Sequence, residues 1–117
     1  VDRSVVDIMI LGIMSIQDLD RDILPPEIYS YSEVTSLNVM RVYAGFRNTN
    51  DVAGTLYYSL NGGSSYYNTS IGANNYYETL VLSLAPFTSG TIDLRAYLVI
   101  DGVQTPTVSY SRTYENY

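Results

Sequence analysis

From residue 36 onward the chain keeps one cadence, in which a short run of alternating apolar and polar residues is followed by a few turn-forming residues and then another such run. Alternation with a period of two sends successive side chains to opposite faces of an extended backbone, and a helix cannot satisfy it. Residues 36–47 place Met40, Val42, Ala44 and Phe46 on one face. Residues 54–60 and 65–71 flank Asn61-Gly62-Gly63, which accepts the positive φ of a tight hairpin. Residues 77–85 follow Asn74-Asn75, with Leu80, Leu82 and Leu84 expected inward and Pro86 as the stop. Residues 91–100 and 103–113 surround Asp101-Gly102, the strongest hairpin signal, and Leu94, Ala96, Leu98 and Ile100 form the apolar face of the first arm. Pro106 offers no N–H, so the second arm is expected at an edge or with a bulge, which would return Val108 and Tyr110 to the core. Six strands about ten residues apart predict an all-β, two-sheet sandwich without helices. In each of the pairs Tyr57-Tyr58, Tyr66-Tyr67 and Tyr76-Tyr77, one ring is expected inward and its neighbour outward.

The start of the chain is different. Residues 5–16, VVDIMILGIMSI, are apolar on both faces of a strand, so the segment must be covered on two sides. As a strand it would span roughly 40 Å. The nine residues 8–16 lie between Asp7 and Gln17, which is about half of what a membrane-spanning helix needs. The run also lacks the basic start and small-residue cleavage site of a signal peptide. Residues 17–33 are acidic at first and contain Pro25-Pro26, a stiff pair that cannot join a central strand, so they are expected to form a spacer. The predicted organisation is thus a strand over residues 1–16, a spacer over 17–33 and a sandwich over 34–117.

Composition removes several function classes. The 117-residue chain fits one domain and has a formal net charge of −6, with no lysine and six scattered arginines. No basic stripe is available to neutralise phosphates, so a nucleic-acid partner is not expected. Histidine, cysteine and tryptophan are absent, which excludes thiol nucleophiles, imidazole bases and the usual zinc sites. No spacing singles out a pair of carboxylates for hydrolysis, so the chain is not expected to be an enzyme.

Three motifs carry competing readings. Asp18, Asp20 and Asp22 alternate as calcium ligands do, but Ile23 and Tyr29 stand where an EF-hand needs Gly and Glu. An acidic linker paired with Arg21 is the expected role, calcium at a subunit junction the competing one, and no other cofactor is expected. Asn68-Thr69-Ser70 matches the N-glycosylation acceptor. Outward tyrosines suit packing between subunits or stacking on sugars, and the absence of accompanying polar clusters favours packing.

Through LYYSLNGGSSYY (residues 56–67) and LRAYLVIDGVQTP (residues 94–106) the chain resembles immunoglobulin-like and fibronectin-type-III-like sandwiches. It lacks the Cys, Trp, Cys pattern of antibody domains. Thirteen tyrosines without lysine resemble the composition of secreted surface proteins, particularly of some archaea. The layout of apolar strand, spacer and Tyr/Thr-rich sandwich resembles donor-strand filaments of archaeal surfaces, such as threads and bundling pili, and more distantly chaperone–usher pilins. That resemblance implies an extracellular homopolymer in which Val6, Ile8, Ile10, Gly12, Met14 and Ile16 insert into a neighbouring subunit. Competing expectations are that the strand folds back into its own sandwich, or that the protein is a glycan-binding module or a viral or S-layer structural domain.

Overall fold

The computed structural model describes residues 23–117. Among the described residues eight strands follow one another: β1 (Glu27–Val34), β2 (Met40–Arg47), β3 (Gly54–Ser59), β4 (Tyr67–Ile71), β5 (Tyr76–Leu84), β6 (Thr88–Ile100), β7 (Val103–Gln104) and β8 (Val108–Asn116). The described residues contain no helix. One sheet has the order β1-β2-β5; in the other, β4, β3 and β6 lie side by side, and both β7 and β8 pair along the far side of β6. Every strand pairing is antiparallel. The all-β, two-sheet expectation therefore holds.

The core lies between the sheets, and β6 is its spine. Ile92, Leu94, Ala96, Leu98 and Ile100 alternate inward and are buried, facing Val42, Ala44 and Phe46 of β2 in one apolar cluster. Each such large side chain contributes about 1.5–3 kcal/mol by leaving water. The Asp101-Gly102 hairpin signal also holds: both residues have positive φ, at 52° and 77°, the backbone of a type I′ turn, whereas Asn61-Gly62-Gly63 lies within a longer loop, since the last β3–β4 pair is Tyr58 with Tyr67.

Three further expectations are corrected. The spacer does not extend to residue 33, because Glu27–Val34 is a strand paired with β2 along its whole length, from Glu27 opposite Arg47 to Val34 opposite Met40. Pro25-Pro26 precedes this strand instead of excluding it, and alternation was obscured because the inward row mixes Ile28 and Val34 with Ser30 and Ser32. Leu80 does not join Leu82 and Leu84 in the core. The β2–β5 register slips at Val81, so Leu82 pairs with Val42 while Leu80 pairs with Tyr43 on the outer face, 47% exposed. Finally, the last arm is two strands, interrupted at Thr105 and Pro106. Thr105 turns inward there, its N–H donating to the Leu98 carbonyl at 2.9 Å and its Oγ1 accepting from the Leu98 N–H at 3.0 Å. Beyond this interruption Val108 and Tyr110 do pack against the core.

Candidate functional site

The two sheets do not match in width, and the mismatch locates the site. Across the core, the Tyr114 hydroxyl of β8 donates to Ser30 Oγ of β1 at 2.9 Å, and Tyr58 of β3 meets Tyr77 of β5 with ring centroids 5.3 Å apart. With β1 over β8 and β5 over β3, no described strand stands over β4 or pairs with the outer edge of β5. The inner row of β4 is Tyr67, Thr69 and Ile71, set by their partners Tyr58, Leu56 and Gly54 on β3. Tyr67 leans on the buried Tyr58 at 5.4 Å yet remains 56% exposed, although it faces the core side. Among the described residues this inward face is left uncovered, bounded by Tyr67 and Thr69 below and by the outer edge of β5, with which no described strand pairs, beside.

A second feature sets the direction of the chain. Both polar groups of the Asn50 side chain hold the Leu24 backbone: Leu24 N–H donates to Oδ1 at 2.8 Å and Nδ2 donates to the Leu24 carbonyl at 2.9 Å. Asn50 is fixed in turn by buried Asn48, whose Nδ2 donates to the carbonyls of Val52 and Gly72. Leu24 is therefore clamped at the pole where β2 ends and β3 begins. At the opposite pole Asn116 closes β8, its Nδ2 donating to the carbonyls of Asn38 and Leu84. Around Asn116 the side chains of Leu37, Phe87 and Tyr117 are each more than three-quarters exposed. Phe87 keeps a positive φ of 65°, which is strained for a bulky residue.

The tyrosines divide as expected. Phe46, Tyr58, Tyr67 and Tyr77 form the inner cluster, while Tyr57, Tyr66 and Tyr97 meet on the outer face of the wider sheet. Burial, followed by the hydrogen bond with Tyr77, pushes the Tyr58 phenol above its ordinary range. On the outer face of the narrower sheet, Tyr29 and Tyr31 donate to the two oxygens of Glu78 at 2.7 and 3.1 Å. Burial, then the Glu78 hydrogen bond and charge, raises the Tyr29 phenol.

The inserted row expected from the sequence, Val6, Ile8, Ile10, Gly12, Met14 and Ile16, lies outside the described residues, as do Asp18, Asp20 and Asp22. Asn68 stands exposed on the outer face of β4, opposite Tyr57. Among the described residues no group of acidic side chains is placed to hold a metal ion, and no helix is long and apolar enough to cross a membrane. Sequence alternation alone does not reveal this uncovered inner face of β4, because it depends on which sheet β4 joins. Comparison with family models, curated proteins and solved structures finds no match to this chain.

Proposed function

We propose that the protein is a structural subunit of an extracellular filament, and not an enzyme, polymerising as its N-terminal strand enters over the uncovered inner face of β4 in the next subunit. The open site beside β5 and above β4 carries this reading. Tyr67 and Thr69 line it, and the outer edge of β5 has no partner strand among the described residues, which suits entry of a two-sided apolar strand such as residues 5–16. Strand order adds support for the fibronectin-type-III-like reading, since β1-β2-β5 faces a sheet in which β4 pairs with β3.

Insertion in a neighbour is favoured over folding back by the placement of the ends. The chain enters the sandwich at the Leu24 clamp and leaves β8 at the opposite pole. Contacts from one pole to the next copy's other pole repeat without closing, and exposed Leu24 and Val103 at one pole face the same fate as Leu37 and Phe87 at the other.

Deleting residues 1–16 tests the reading. The truncated chain should lose assembly by sedimentation and electron microscopy, and a peptide of residues 5–16 added in trans should raise its melting temperature. Full-length and truncated chains that are both folded monomers would refute it.

A further inference from the structure

Asn68 on β4, Tyr57 on β3 and Tyr97 on β6 lie in one row across the outer face of the wider sheet, because Tyr57 is the register partner of both. The Tyr57 and Tyr97 rings are stacked, with centroids 4.9 Å apart and planes 7° from parallel. That separation is close to the spacing of adjacent strands, about 4.8 Å, so the rings stand side by side like the strands beneath them. Tyr97 covers one face of Tyr57, and the other face looks toward β4 and Asn68. Tyr66, two residues before Asn68, completes the outer cluster at 5.6 Å from Tyr97. Asn68 and Ser70 share the exposed outer side of β4, and neither side chain makes a hydrogen bond among the described residues.

We propose that Asn68 carries an N-linked glycan and that its first pyranose packs its C–H face against the free face of Tyr57. The acceptor triplet supplies the site: Asn68 is the nitrogen nucleophile and Ser70 the hydroxyl two residues on. The donor is an oligosaccharide on a lipid diphosphate, presented by a membrane transferase. A bond forms between Asn68 Nδ2 and the anomeric carbon, the bond from that carbon to the diphosphate oxygen breaks, and the lipid diphosphate leaves with its electron pair. The amide nitrogen loses one proton, and nothing is oxidised or reduced. The electron-rich ring face then attracts the slightly positive C–H groups of the sugar. One face is free, so the geometry suits one stacked sugar and not an extended chain.

The inference rests on the extracellular part of the proposed function and not on polymerisation. The full chain is exported behind a cleavable leader from a eukaryotic secretory host and analysed by tandem mass spectrometry, and Asn68 should be occupied. Relative to Asn68→Gln, the glycan should raise the melting temperature by about 4 °C, and by less than about 1 °C when Tyr57 is replaced by leucine. In the unsubstituted chain, proton resonances of the first sugar should move upfield under the ring current of Tyr57. A bare Asn68, unshifted sugar protons, or an equal thermal gain without Tyr57 each overturns the proposal. Filaments that form with a bare Asn68 refute only this inference, whereas monomers with a shielded sugar refute only polymerisation.

Discussion

Gly45 shows how one missing side chain organises a surface. A Cβ at this position would overlap the Tyr29 ring, so glycine lets that ring lie flat across β2 and reach Glu78 on β5. An aromatic ring over a strand glycine recovers packing that the glycine lacks. Gly45→Ala should therefore destabilise the protein by about 1–3 kcal/mol through overpacking, and much less in a Tyr29→Ala background. Chemical denaturation of the four chains of this double-mutant cycle measures the coupling. The same tyrosines set an alkaline limit. The phenols of Tyr29, Tyr58 and Tyr97 are raised above the ordinary tyrosine value of 10.0, in each case first by burial. Above pH 10 the unfolded chain loses these protons before the folded one, so it binds fewer. Stability should be fully retained below that pH and fall as pH rises above it. Circular dichroism and tyrosinate absorbance followed together should show phenols ionising in step with unfolding.

Among the described strands, regular pairing is interrupted twice, between β7 and β8 and at Val81 of β5. Between β7 and β8, Thr105 substitutes for a strand residue by bonding both backbone groups of Leu98. Thr105→Val removes the hydroxyl acceptor from a buried N–H and should cost about 1–3 kcal/mol in a denaturant titration, while Thr105→Ser should restore most of it. Pro106 announced this interruption in advance, because a residue without an N–H cannot continue a ladder. The slip at Val81 had no such signal: Leu80, Val81 and Leu82 are all apolar, so strict alternation chose Leu80 for the core when the bulge turned it outward. Strand β1 was hidden for the opposite reason, since Ser30 and Ser32 in its inward row erased the apolar period. The Asp101-Gly102 hairpin and the β6 spine were legible because each rests on local chemistry: a positive-φ turn and an unbroken apolar row. The uncovered face above β4 was not, because it follows from β4 pairing with β3 and not with β5, the strand that comes next in the chain.

For the whole molecule, the absence of native cysteine permits a direct test of the proposed insertion of the N-terminal strand into a neighbour. Single-cysteine chains carrying Ile10→Cys and Thr69→Cys, mixed and oxidised, should yield mixed disulfide-linked dimers. A double-cysteine chain that closes only on itself would show the opposite. Adding a charge to the open inner row, as in Thr69→Glu, should leave the half-exposed site folded while abolishing polymers in sedimentation runs, because the inserted apolar strand would bury that carboxylate unpaired. The clamp of Leu24 at one pole and the end of β8 at the other also define a load path. Tension applied between these ends pulls β1 along its own length against β2, and β8 along β6. All the ladder bonds of each pair are then strained together and not peeled one after another. The sandwich is thereby arranged to resist being drawn out like a thread, with the two hydrogen bonds between the Asn50 side chain and the Leu24 backbone as the first links to give way.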